Sequence, residues 1–484
     1  MFTNLKPYPT YVESGNQWFG RLPVGWETSR LRGVSRLLVS NVDKLTHEDE
    51  RPVRLCNYVD VYKNEFITDR TGYMTASASD DEIRRFRIRV DDVAITKDSE
   101  SWTDIGVPAY VAQEADDLVC GYHLGLLRTQ KERLSGAYLF RALQVPAIAT
   151  QFHVAAGGVT RYGLAQDDIR SASVPIPSLN EQAAIVKYLG HANARIDRAI
   201  AAKRKLIALL EEQKQAVIHQ IVTQGIDRTV TLKKSGVSGL GDIPAHWETR
   251  KLKHVAVAVG GMTPSKERSD YWQGDVPWVS PKDMKIDVVC DSIDHVTQTA
   301  LSETGLQLVK SGALLFVVRG MILARKIPVA ITSAPVTINQ DMKALTPIKG
   351  VDSRYLAVVL RGLQSELLQL ISESGHGTKK LETSAWSNFK LPMPSLTEQL
   401  LIVERVKART MTADEAIVHA SHEVELLREF RTRLTADVVT GQIDIRDAAA
   451  RLPELDPADL VSDAGPDEND LDADLEESLE EADA

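Results

Sequence analysis

Between residues 189 and 221 the chain alternates spacings of four and three at Leu189, Asn193, Ile196, Ile200, Lys203, Ile207, Leu210, Lys214, Val217 and Ile221. Seven of these ten positions are apolar. The same register returns 217 residues later at Val406, Thr410, Ala413, Ile417, Ala420, Val424, Leu427, Arg431, Leu434 and Val438, with eight apolar. A seam this narrow suits one partner helix better than a broad core, which is coiled-coil behaviour. Upstream of each seam, Ser178 with Glu181 and Ser395 with Glu398 stand at capping-box spacing. There the serine hydroxyl can take the backbone N–H three residues on, while the glutamate reaches back. Prolines before each serine discourage an earlier helical turn. Gly225 and Gly441 stand where each helix should stop. The pattern predicts two helices of roughly 45 residues, each a rod of roughly 70 Å. The obvious partner of each is the other, and a two-fold relation between the copies requires them to run antiparallel.

The duplication extends beyond the helices. "PIPSLNEQAAIVKYL" from Pro175 returns as "PMPSLTEQLLIVERV" from Pro392, and Pro175–Asp227 overlays Pro392–Asp444 without a gap. Upstream, "LPVGWETSRLRGV" from Leu22 returns as "IPAHWETRKLKHV" from Ile243, offset by 221. One unit is therefore written twice. Between entrance and helix, residues 10–174 and 235–391 look mixed α/β. "DVAITK", "LLFVV" and "VAITS" suggest strands, and glycine-rich pieces such as "AAGGVTRYG" and "ESGHGTKK" punctuate them. "RYLAVVLRGLQSELLQLI" (Arg354–Ile371) reads as an amphipathic helix. Its counterpart "AYLFRALQVPAIATQF" should bend or break at Pro146. The expected fold class is α+β: two mixed α/β domains joined by two long antiparallel coiled-coil helices, with a pseudo-two-fold internal repeat. The expected segments are a first domain at 1–174, a central helical region at 175–227, a second domain at 228–391, a distal helical region at 392–445, and an acidic, disordered tail at 446–484.

Length and charge refine this picture. A chain of 484 residues exceeds one typical core. The net charge of −10 is set by Leu452–Ala484, which holds 14 Asp or Glu and neither Lys nor Arg, so the remainder carries +4. Such a segment is too poor in large apolar residues to fold alone. It reads as a solvated tail, or more pointedly as a DNA-mimicking, self-regulating one. No run of 18 apolar residues suggests a membrane span, and no basic-then-apolar leader is visible at the N-terminus. Three scattered cysteines, Cys56, Cys120 and Cys290, argue against a disulfide framework and point to a cytoplasmic protein.

The layout resembles the specificity subunit of Type I restriction-modification systems over about residues 10–445. The matching pieces are "SGNQWFGRLPVGWE" and "SGVSGLGDIPAHWE", "NYVDVYKNE" and "GDVPWVSPKDM", "CGYHLGLLR" and "INQDMKALTP", and the two "PSLxEQ" helix starts. The resemblance implies that 1–174 and 228–391 are target-recognition domains, each reading half of a bipartite duplex DNA site. It implies a non-catalytic subunit whose helices set the half-site spacing and dock two adenine methyltransferase (modification) subunits. S-adenosylmethionine, ATP and Mg would then belong to methyltransferase and restriction/translocase partners, none to this chain. The acidic tail lies outside the family pattern. Rival readings are a self-contained nuclease or methyltransferase, or a coiled-coil DNA-binding regulator outside restriction.

The residues supply no catalytic constellation. There is no GxxxxGK[ST] loop and no Asn/Asp-Pro-Pro-aromatic tetrapeptide, and "PKDMKID" and "TKDSE" are only loose nuclease fragments. The 11 histidines form no HExxH pair, so no metal is expected. The expected DNA-binding residues are Lys97 and Arg319, each after a strand-like run, with Arg161 and Tyr162, and His376, Lys379 and Lys380, in glycine-led loops. Arg325 and Lys326 add a further basic pair. Lys and Arg neutralise phosphates, and an arginine can also fork onto guanine. His123 and Tyr58 are weaker candidates, and Trp26 and Trp247 read as core anchors.

Overall fold

The computed structural model describes residues 5–70, 72–373 and 377–454. Its contacts divide into two compact units. The first holds the N-terminal domain up to Arg204 and the chain from Ser421, and the second runs from Lys205 to Ala420. The boundaries fall inside both long helices, Leu179–Gln224 and Leu396–Val439. The helical segments expected at 175–227 and 392–445 are therefore each shared between the units rather than forming domains of their own. The reason is packing. Tyr188, Leu189 and Ala192 of the central helix join the first core with Leu434, Val438 and Val439 of the distal helix. Ile218, Ile221 and Val222 join the second core with Ile402 and Val406.

Both domains follow one topology. The first has a five-stranded sheet in the order Ser35–Val39, Leu124–Thr129, Val93–Thr96, Pro108–Val111, Phe66–Ile67. The second repeats it as Ala256–Gly260, Met342–Pro347, Leu314–Val317, Val329–Thr332, Val288–Val289. In each sheet the first three pairings are antiparallel and the last is parallel. The expected strands form, but those buried on both faces, such as Val93–Thr96 and Leu314–Val317, are near-continuous apolar runs rather than alternating ones. The Pro146 break occurs: one helix ends at Leu143 and another starts at Pro146, where a missing N–H costs nothing. The Arg354–Ile371 helix is shorter than expected. It runs Ser353–Gly362, resumes at Gln364–Leu368, and Ile371 begins a strand. A Cβ at Gly362 would come within 2.7 Å of Val222, so glycine at this break allows close approach to the central helix.

The repeated motifs stitch each helix to its domain. Entrance strand Glu27–Arg30 pairs with Ser173–Ile176, the strand that leads into the central helix, and Glu248–Lys251 pairs likewise with Lys390–Met393. The Trp26 indole N–H donates to Glu181 at 3.3 Å, and that of Trp247 to Glu398 at 3.2 Å. Ser178 and Ser395 Oγ accept the backbone N–H of Glu181 and Glu398, three residues on, each at 3.3 Å. The buried Gln182 and Gln399 side chains tie down the loop carbonyls of Arg133 and Gly350. Tyr138 and Tyr355 hydroxyls donate to the Pro175 and Pro392 carbonyls at 3.0 and 2.8 Å. Each tryptophan also meets the end of a helix. A Cβ on Gly441 would come 3.4 Å from Trp26, and one on Gly225 3.2 Å from Trp247. The two glycines stop their helices at positive φ, +70° and +77°.

The predicted seam is the least exposed stripe of both helices. In the first unit Ile196 and Ile200 pack on Val424. The charged seam positions are paired across helices: Arg431 with Asp197, Lys203 with Glu423 at 2.7 Å, and, in the second unit, Lys214 with Asp414 at 2.5 Å. As the central-helix number rises from 197 to 214, its partner falls from 431 to 414, so the helices run antiparallel in both units. Such pairs fix register. The expected tail begins later than 446. Arg446–Ala450 is helical, with Ala449 buried in the first core, because Ile445, Ala449 and Leu452 supply the apolar side chains that the acidic sequence lacks. Residues 455–484 lie outside the described residues.

Candidate nucleic-acid interface

In the first domain the expected residues converge on a carboxylate that sequence reading passed over. Asp98 follows the strand Val93–Thr96, in a two-residue strand with Ser99 that pairs with Tyr162–Gly163. Its Oδ2 accepts from Lys97 Nζ at 3.1 Å, and its Oδ1 meets Arg161 Nη2 at 2.9 Å and His123 Nδ1 at 2.5 Å. Burial raises the Asp98 pKa, but the Lys97, His123 and Arg161 contacts outweigh it and hold the carboxyl below its ordinary value. The Arg161 side chain stays 55% exposed, so it is oriented without being used up. The Tyr58 hydroxyl lies 3.0 Å from Ser99 Oγ, and its ring stacks on Tyr62. The Tyr122 ring lies 3.7 Å from that of His123. Cations beside exposed aromatic faces can neutralise phosphate and stack on or read bases. The signal for Asp98 and its neighbour Lys97 was present in "TKDSE", but His123 and Arg161 come from other parts of the chain.

The second domain builds its tip on the same backbone. Lys97 N–H donates to the His123 carbonyl at 3.0 Å, and Val318 N–H to that of Asp341 at 2.8 Å. Leu164 N–H donates to the Lys97 carbonyl, and Leu381 N–H to that of Val318. The counterpart of Lys97 is thus Val318, and Arg319 takes the place of Asp98, one residue from the expected equivalence. Gly163 faces Asp98 across the strand pair, as Lys380 faces Arg319. Arg319 is exposed, and Lys379 and Lys380 lie beside it, engaged with Glu373 and Glu382 at 2.5 and 3.0 Å. Arg325 and Lys326 end the short helix Met321–Ala324 that packs along Lys379–Leu381. His376 lies outside the described residues. The structure brings Lys97, Arg161 and Tyr162 together in one domain, and Arg319, Arg325, Lys326, Lys379 and Lys380 in the other. Trp26 and Trp247 are buried, at 6% and 1% exposure.

Among the described residues no helix is long and apolar enough to cross a membrane. The family model described as "Type I restriction modification DNA specificity domain" matches twice, over residues 23–212 and 244–415. The chain is 33% identical over 159 residues to the EcoR124I/EcoR124II specificity subunit of Escherichia coli, and 30% identical over 199 residues to the MjaIX specificity subunit of Methanocaldococcus jannaschii. Those matches cover 33% and 40% of this chain, and 39% and 44% of the two relatives, less than half of either. A putative MjaX specificity subunit from the same archaeon aligns at 22% identity over 88% of this chain and 96% of its own. A chain solved in work on assembly and conformational transition of the type I R-M system superposes with a TM-score of 0.55 at 16% identity, covering 86% of this chain and 98% of that one, which supports the fold alone. With both halves matched, this chain belongs to the Type I restriction-modification DNA specificity family.

Proposed function

We propose that the chain is the DNA-reading subunit of a Type I restriction-modification complex. It recognises a bipartite duplex site, one half with each domain, and directs adenine methylation and restriction by partner subunits. The observation that carries this reading is the pair of tips. Two domains of one topology each end in basic side chains placed by the same backbone bonds, gathered around a half-buried carboxylate in the first and mostly exposed around Arg319 in the second, so the clusters differ in chemistry. Two unlike readers on equivalent scaffolds suit an asymmetric, two-part sequence. In this reading the chain is not itself catalytic and works in the cytoplasm. Two modification subunits supply the S-adenosylmethionine chemistry on a flipped-out adenine, and restriction/translocase subunits use ATP and Mg. The helix surfaces dock the modification subunits. On the distal helix the outward Leu401, Met411, Val418 and Leu426 are each about half exposed or more, apolar area that a partner would cover.

The test is an exchange of residues 10–174 for the corresponding domain of another specificity subunit, followed by methylome mapping. One half of the methylated sequence changes and the other stays. Alteration of both halves, or methylation by the purified chain without partners, would refute the assignment.

A further inference from the structure

The first domain carries a second basic feature, on the flank of its sheet. Arg32, from the turn Leu31–Gly33, Arg36, from the edge strand Ser35–Val39, Arg85, from the helix Asp80–Phe86, and Arg170, from the helix Gln166–Ser171, line one open cleft of about 570 Å³. Ser35, Gln130 and Gln166 complete its polar wall, and no acidic residue lines it. Among the described residues Arg32 and Arg36 have no carboxylate partner. Arg85 has Asp81, at 3.7 Å, and the field of Glu82, both on its own helix, and Arg170 has Asp167 at 3.4 Å, itself 92% exposed. The cleft adjoins the reading tip: Leu164, whose N–H bonds the Lys97 carbonyl, precedes by two residues the helix that supplies Arg170.

Charge alone also guards an exposed sheet edge. The second domain tests that explanation, because it has the same edge strand, Ala256–Gly260. Matching turn to turn, strand register to strand register and helix cap to helix cap places Lys253, Val257, Glu303 and Ser387 at the four positions. An edge equally open has no such cluster. Gathering four guanidiniums from four separate elements calls for a polyanion, and continuity with the tip selects which one. We propose that this cleft grips the sugar-phosphate backbone of duplex DNA without regard to sequence, and that the second domain has no equivalent. The proposal rests on the DNA-reading role above and adds to it an asymmetry: the first domain supplies most of the non-specific hold.

The experiment uses the full chain assembled with its modification subunits, carrying Arg32→Gln, Arg36→Gln and Arg85→Gln together. Binding is measured from about 50 to 200 mM salt on duplexes with and without the methylated site, where each phosphate contact contributes about 0.9 to the log–log slope. The expected result is a loss of about tenfold or more, equal on both duplexes, with a slope shallower by roughly 2 to 3 and an unchanged methylated sequence. The matching lysine triple keeps the slope, which separates charge from fold, and Lys253→Gln moves it little. Unchanged affinity and slope overturn the proposal, as does a loss confined to the site-bearing duplex. A gain in affinity also overturns it, by making the acidic segment after Glu454 the occupant. If the unsubstituted complex fails to distinguish the two duplexes, the specificity reading fails instead, while the cleft is still judged on the duplex without the site.

Discussion

Where the first domain places Asp98, ringed by Lys97, His123 and Arg161, the second places the exposed Arg319 beside Lys379 and Lys380. His123 likewise gives way to Asp341. The main-chain bonds beneath these side chains are the same in both domains, within 0.2 Å for the strand-end pair. Backbone hydrogen bonds do not depend on side-chain identity, so a tip held by them can invert its charge without moving. The scaffold side chains behave in the opposite way. Trp26 and Trp247, Gln182 and Gln399, and Tyr138 and Tyr355 each repeat both identity and partner, and Glu181 and Glu398 repeat their bonds to the capping serine and the indole. Fixed chemistry thus holds the helices, and free chemistry is left at the proposed reading surface.

The sharpest break of this comparison is Trp26→Ala against Trp247→Ala. Each removes a buried indole that packs at the start of one helix and the end of the other, so each should cost about 3–5 kcal/mol. Hydrogen exchange of the full chain should show each loss centred in its own unit. Strongly unequal costs would mean the two scaffolds are not equivalent.

The helix-stop glycines separate more subtly. Both hold positive φ, which costs any L-residue. A Cβ on Gly225 would still find ordinary to tight contacts at 3.2–3.4 Å, whereas one on Gly441 would lie 2.4 Å from Pro23. Gly441→Ala should therefore cost about 2–3 kcal/mol and Gly225→Ala about 1, read from thermal unfolding.

These pairs also show what could be read before the fold. The seam, the capping serines, the stopping glycines and the doubled entrance were legible because each is a local pattern with one physical meaning. Antiparallel pairing followed from the duplication. The Asp98 cluster was legible only in its parts, since Lys97 is its neighbour in sequence but His123 and Arg161 are joined to it by sheet register rather than by spacing. Arg32, Arg36, Arg85 and Arg170 were not legible at all, because four elements place them in one cleft. The Arg354–Ile371 helix was overextended because apolar periodicity runs on through Leu363, while the backbone breaks where Gly362 meets Val222.

At the tips, Arg161→Ala and Arg319→Ala should each weaken methylation by about 2 kcal/mol, roughly thirtyfold, if the guanidinium reads a base. The comparison predicts that each relaxes only the half-site read by its own domain. Competition with duplexes altered in one half at a time measures this. Equal relaxation of both halves would mean that the arginines act on phosphate alone.

The smallest expected difference lies at the caps. Glu398 has a partner that Glu181 lacks: His246 Nε2 lies 2.7 Å from its carboxylate, where the first copy has Gly25. Burial raises the Glu398 pKa, but hydrogen bonds from His246, Ser395 and Trp247 outweigh it and pull it down to about 2. A carboxyl held below its unfolded value of 4.5 stabilises the native chain above that pH. The contribution fades as pH falls from about 4.5 towards 2, when the native carboxyl finally takes its proton. Glu398→Gln should therefore cost about 1 kcal/mol near neutrality, the scale of a lost cap, and flatten the acid limb of second-unit stability. Denaturant titrations between pH 7 and pH 3 (about the span that linkage requires), followed by hydrogen exchange around Trp247, provide the measurement. An acid limb that keeps its slope in the glutamine variant would show that this carboxylate does not tie the helix start to the domain.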